Sequence, residues 1–142
     1  MSTMTLSTTE LNKSLVTRVN KEYIEGRNAA TVYEIFSPDF INRTAPPGTP
    51  KGPEAIIHFF NNILRPGFPD LQVEIHDMMA EGDKVTTRKS FHATHTGEFF
   101  GVPATGRKVV MSVIDIIRLE DGKYMEHWGI LDIHGLMAQI TG

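Results

Sequence analysis

Two runs decide the fold: Lys108-Val109-Val110-Met111-Ser112-Val113-Ile114-Asp115-Ile116-Ile117-Arg118-Leu119 and Lys123-Tyr124-Met125-Glu126-His127-Trp128-Gly129-Ile130-Leu131, separated by Glu120-Asp121-Gly122. Both are rich in β-branched and aromatic residues, and Asp-Gly is a strong short-range hairpin signal. Side chains alternate between the two faces of a strand. One face of the first run is therefore Val109, Met111, Val113, Asp115, Ile117 and Leu119. On the second run Met125, His127, Gly129 and Leu131 share a face, with Glu126, Trp128, Ile130 and Asp132 on the other. Antiparallel pairing through the turn can bring Asp115 and His127 close together.

Strand patterning continues upstream. Leu71, Val73, Ile75 and Asp77 alternate with polar residues, Gly82-Asp83 turns the chain, and 84–96 reads as a long strand. The connection Thr94-His95-Thr96-Gly97-Glu98-Phe99-Phe100-Gly101-Val102-Pro103-Ala104-Thr105-Gly106-Arg107 is longer than a plain hairpin requires. Its glycines and Pro103 suit a shaped turn that sets the register of the flanking strands.

Helical periodicity governs the first half. Leu11, Leu15, Val16, Val19, Tyr23 and Ile24 form one stripe, Ser7 with Glu10 resembles a capping box, and Gly26 is a natural stop, so the spacing predicts a helix over 9–25. Asn28 caps a second helix, which must end before Ser37-Pro38. A short strand over 40–43 and a Pro/Gly-rich loop over 45–52 follow. Pro53 opens a third helix carrying Ile56, Ile57, Phe59, Phe60, Ile63 and Leu64, and residues 133–140 close the chain as a short helix. Helices first and strands later indicate a single α+β domain over 9–142, with residues 1–8 as a loose terminus. The expected architecture is a curved antiparallel sheet packed against three N-terminal helices and enclosing a pocket.

Composition narrows the function classes. The 142 residues are 40% hydrophobic and 22% charged, with a net charge of −3, as in an ordinary globular domain. Lys and Arg are scattered, which argues against a nucleic-acid partner. With no cysteine, disulfides and thiolate metal sites are excluded, and a cytoplasmic setting fits. The first residues do not read as a secretory signal, and no run of 18 apolar residues exists to span a membrane.

Few residues could carry chemistry. Asp115 is the single ionisable residue in its apolar row. Burial disfavours the charged carboxylate, so its pKa is expected to rise toward the range useful for proton transfer. The alternative is a structural Asp paired with a neighbouring strand. His127 is either the acid/base partner of Asp115 or a half-buried strand residue. Trp128 could stack on a ligand or pack in the core or an interface. Met111 shares the row of Asp115 and is a candidate substrate contact. Arg88 and His92 lie in the polar row Thr86, Arg88, Ser90, His92, Thr94, Thr96, which either faces solvent or lines a wet cavity. His95 reads as a structural histidine and His58 as a surface one. His92 and His95 fall on opposite strand faces, and neither a zinc motif nor a phosphate-binding loop nor a serine nucleophile elbow is present, so no metal or organic cofactor is expected.

An ordered set of segments resembles the SnoaL-like polyketide cyclases, a branch of the nuclear-transport-factor-2-like superfamily. They are Phe68-Pro69-Asp70, Glu81-Gly82-Asp83-Lys84-Val85, Thr94 to Phe99, Gly101 to Arg107, Asp121-Gly122-Lys123, Glu126-His127-Trp128, Asp132 and Gly135-Leu136. The resemblance implies a cone-shaped α+β fold with a pocket between sheet and helices, and often a homodimer. It also implies ring closure by intramolecular aldol condensation without metal or organic cofactor. Carried onto this sequence, the family's catalytic Asp position falls on Gly129 and its helping His position on Asp115. The family's pocket Asn matches Asn42, and the last-strand His matches His127.

The reading that follows is a cofactor-independent enzyme for a small hydrophobic, carbonyl- or ring-bearing molecule. Asp115 would be general base and His127 its partner, with Asn42, Arg88, His92, Met111 and Trp128 as substrate contacts. The alternatives are an epoxide hydrolase, hydroxylase or isomerase of the same shape, and a ligand-binding or interaction module without catalysis.

Overall fold

The computed structural model describes residues 6–142. Helix α1 (Thr8–Arg18) starts where Ser7 Oγ accepts the Glu10 backbone N–H at 3.2 Å, and it continues directly into a wider π-helical segment, Val19–Glu25. Thr8 thus already belongs to the helix, and residues 1–5 of the expected loose terminus lie outside the described residues. Asn28 caps α2 (Ala29–Ile35) through its side chain. Helix α3 (Glu54–His58) starts after Pro53 and runs on as a π-helical segment, Phe59–Leu64. Helix α4 (Ile133–Thr141) is capped by Asp132.

Five strands form one open sheet in the order β1-β5-β4-β3-β2: β1 (Phe36–Asn42), β2 (Gln72–Glu81), β3 (Lys84–Thr94), β4 (Lys108–Glu120) and β5 (Lys123–Leu131). The fold is the α+β class the sequence implies. The sheet is mixed rather than wholly antiparallel, because β1 pairs with β5 in parallel, Asn42 facing His127. A hairpin turn forces antiparallel pairing, whereas the long stretch between β1 and β5 leaves direction free. Strand β1 also starts earlier than its pattern suggests and includes Pro38. Proline is tolerated there because β1 is an edge strand.

The β4–β5 hairpin turns on Asp121 and Gly122, both at positive φ (49° and 75°), which fits a type I′ turn. An extra residue on β5 shifts the register between Leu119↔Tyr124 and Arg118↔Glu126. Tyr124 and His127 consequently both face the helices, opposite Leu119 and Ile117.

Helix α1 lies against β2 and β3, and α4 against β4. Between them and the sheet are packed Val16, Val19, Tyr23, Phe60, Phe91, Met111 and Leu136. Residues 95–107 fold back on the chain instead of extending β3. His95 and Arg107 keep pairing, Phe99 and Val102 exchange backbone hydrogen bonds, His95 stacks on Phe68, and Phe99 meets the Phe68 ring edge to face.

Candidate active site

Three neighbouring strands and one helix converge on Asp115. The alternation of β4 turns its carboxylate toward the helices, and the residue is 7% exposed. On β3, Lys89 points the same way and sets its Nζ 3.0 Å from Asp115 Oδ2. Asn20, in the π-helical continuation of α1, receives the same ammonium on Oδ1 at 2.8 Å, while its Nδ2 donates to the Val16 carbonyl. On β5, His127 Nε2 lies 3.6 Å from Asp115 Oδ2. At the end of β1, Asn42 Oδ1 lies 2.8 Å from His127 Nδ1.

These contacts fix the histidine's tautomer. Asn42 Oδ1 also receives the backbone N–H and the hydroxyl of Thr44, both at 3.2 Å, so that atom is an acceptor. An amide oxygen cannot donate, so His127 Nδ1 carries a proton. Nε2 is then the nitrogen turned toward Asp115, either bare or donating to the carboxylate. The His127 side chain is 23% exposed and that of Asp115 9%, so an incoming molecule meets the imidazole first.

Electrostatics at Asp115 overturn the expected upward shift. Burial does push its carboxyl up, but the Lys89 ammonium and the His127 imidazole beside it outweigh burial and hold the pKa down at about 2. Asp115 is ionised throughout the neutral range. The expectation considered desolvation alone; the cation comes from the neighbouring strand. Lys89 is the site residue that sequence reading missed. Its signal was present: within the β3 row Val85, Thr87, Lys89, Phe91, Ala93 it is the single charge, as Asp115 is on β4. Two opposite lone charges on adjacent inward rows are candidates for each other. Burial, with a smaller contribution from the charge of Asp115, also pushes the Tyr124 phenol well up.

Asp115 Oδ1 and Thr87 Oγ1 are buried without a hydrogen-bond partner, and their residues face each other across β3 and β4. Both atoms can take a further polar group. No third His, Asp or Glu joins Asp115 and His127 in a metal-holding group among the described residues.

The remaining expected contacts are not gathered with this pair. Arg88 and His92 lie on the outer face of the sheet, Arg88 exposed and His92 half-buried, occupied by Asp77 (2.5 Å) and Glu74 (2.8 Å). Trp128 pairs with Ile116 on that same outer face. Met111 is wholly buried opposite Phe91. His58 is exposed and bonded to Asn62, and His95 is buried with Nδ1 accepting from the Thr105 N–H. Two open grooves of about 270 and 620 Å³ lie away from Asp115 and His127, one over Ser90, Ser112, Ile114 and Ile130, the other at the β2–β3 turn. Neither includes the Asp115–His127 pair, and the buried charge network outweighs open volume as a marker of chemistry.

The profile of the SnoaL-like polyketide cyclases matches residues 14–140, and the chain belongs to that family. Aklanonic acid methyl ester cyclase DnrD of Streptomyces peucetius is 27% identical over 128 residues, covering 89% of this chain and 88% of that one. A candidate SnoaL-like polyketide cyclase from Jannaschia sp. CCS1 superposes with a TM-score of 0.83 at 26% identity, over 99% of each chain. AclR of Streptomyces galilaeus, a candidate hydroxylase, superposes at 0.77 with 27% identity, over 91% of this chain and 80% of that one. No helix among the described residues is long and apolar enough to cross a membrane.

Proposed function

We propose that this chain is a cyclase acting without metal or organic cofactor on a small hydrophobic molecule with two carbonyl groups. The observation that carries the reading is the His127 imidazole, fixed at Nδ1 by Asn42 and turned at Nε2 toward an ionised Asp115. In its neutral form His127 takes a proton from the carbon next to one carbonyl through Nε2. The C–H electron pair becomes the enolate. That carbon attacks the second carbonyl, a C–C bond closes the ring, and the resulting alkoxide takes the proton back from Nε2. Asp115 stays ionised and stabilises the imidazolium that forms between the two transfers. This assigns the base to His127 rather than Asp115, because a carboxylate held at about 2 is a weak base at neutral pH.

Aklanonic acid methyl ester, the compound named for the Streptomyces peucetius relative, is a suitable probe. Ring closure by His127→Gln should fall about 10²–10⁴-fold, the usual contribution of a positioned acid/base group. Equal turnover by the variant and the wild type overturns the role of His127.

A second reading, a binding module without turnover, draws support from the tight Lys89–Asp115 pair and from Met111 and Phe91 filling the helix-facing layer. Saturable binding of the ester with no conversion would select it. The family resemblance also supports pairing of two copies. The exposed Ile114 and Ile130 on the outer sheet face, flanked by the balanced pairs Arg88–Asp77 and His92–Glu74, fit a self-complementary contact. The absence of cysteine is in keeping with residence in the cytoplasm.

A further inference from the structure

We infer that Gly129 is a positioning residue: its missing side chain is what lets the His127 ring lie against Asp115. The inference rests on the assignment of proton transfer to His127, but its first test does not depend on activity.

Glycine in mid-strand needs an explanation, since it weakens a strand and contributes no packing. Several glycines here have a backbone reason. Gly82, Gly101 and Gly122 sit at positive φ in turns. Gly129 has no such requirement, because its φ is not in the left-handed region. It pairs directly with Asp115 across β4 and β5.

The reason lies in the space above it. A Cβ on Gly129 would stand 2.6 Å from His127 Nε2, 2.7 Å from His127 Cε1 and 3.0 Å from Asp115 Cβ. The first two separations are well inside van der Waals contact. The imidazole thus folds across the position where a side chain at 129 would stand, and by doing so reaches the carboxylate. His127 and Gly129 are two apart on one strand and point to the same face, so any side chain at 129 competes with the ring for this place. The ring end can rotate away, whereas the Asp115 Cβ is held by the strand, so the contact that gives way is His127–Asp115.

The backbone of Gly129 adds a second restraint. Its N–H donates to Thr44 Oγ1 at 3.0 Å, Thr44 donates to Asn42 Oδ1, and Asn42 Oδ1 accepts from His127 Nδ1. Gly129 therefore sets one side of the imidazole by leaving room and the other through this short relay.

The first test is a stability cycle read from urea midpoints. Gly129→Ala should lower the midpoint when His127 is present. In the His127→Ala background the same change should leave the midpoint unchanged or raise it, because alanine is better tolerated than glycine in a strand once the ring is gone. An equal penalty in both backgrounds, or failure to fold in both, overturns the proposal. The second test uses the ring ¹⁵N resonances of His127. Asp115→Asn should shift them in the otherwise unchanged protein and leave them unmoved in the Gly129→Ala background. A shift of the same size in both backgrounds also overturns it. Turnover of the probe ester should fall toward that of His127→Gln. If the ring is displaced and turnover is retained, the role of His127 in proton transfer fails while the positioning by Gly129 stands.

Discussion

Lys89 and Asp115 show how one pair can govern a site. Breaking a buried pair from one side leaves an uncompensated charge and typically costs about 3–5 kcal/mol. The pair also imposes a pH dependence. The folded state holds Asp115 at about 2, and unfolding returns it to near its ordinary 3.8. The stabilisation is therefore complete above about pH 4 and is lost as pH falls through about 2, a difference of roughly 2 kcal/mol. In Lys89→Met burial is no longer opposed by the ammonium, and the Asp115 carboxyl should move up. The sign then reverses, and acidification from pH 6 to 4 should stabilise the variant relative to the wild type. Denaturant melts of both proteins across that range, compared as a difference, test this; parallel curves would show that Lys89 does not control Asp115. At this scale Asp115, His127 and Asn42 could be found from the sequence, since each stands out from its row or matches a family position. The direction of the Asp115 shift could not be read, because it depends on which β3 residue lies beside it.

At the scale of elements, residues 95–107 act as a brace. Thr96 and Gly97 donate their N–H groups to the Gly67 carbonyl, and Phe99 is buried against Phe68. A Cβ on Gly97 would lie 1.9 Å from the Pro66 carbonyl oxygen, a backbone atom that cannot step aside cheaply. Gly97→Ala should therefore destabilise the protein by more than about 3 kcal/mol, in the range reserved for severe steric faults, or detach the connection. Thermal unfolding with limited proteolysis at 95–107 checks it; an unchanged Tm with unchanged cleavage contradicts it. Helix starts were legible because capping is local chemistry: Ser7, Asn28 and Pro53 act within a turn of their own positions. The parallel entry of β1 and the extra residue on β5 were not. Both are decided by partners far along the chain, and together they set Asn42 and His127 side by side.

For the whole molecule the sheet separates two chemistries. Its helix-facing side holds the core and the Lys89–Asp115–His127 network, while its outer side carries paired surface charges around exposed Ile114 and Ile130, the latter 70% exposed. If two copies pair through this outer face, Ile130→Glu should yield a monomer by sedimentation at micromolar concentrations, with conversion of the probe ester unchanged from that of the wild type. A wild type that sediments as a monomer rejects the pairing. Periodicity, caps and turn residues were enough, without any structure, to establish the α+β class, the order of the elements and the place of Asp115 in an inward apolar row. These are properties of short segments, and hydrophobic burial and local hydrogen bonding act on them directly. The helix-facing side of His127 came from the extra residue on β5. Which strand lies beside which, in which direction and register, was decided by tertiary packing alone. That choice brought Lys89 to Asp115, moved Arg88, His92 and Trp128 away from it, and gave Gly129 its role, because those relations exist only between residues that the chain separates and the fold joins.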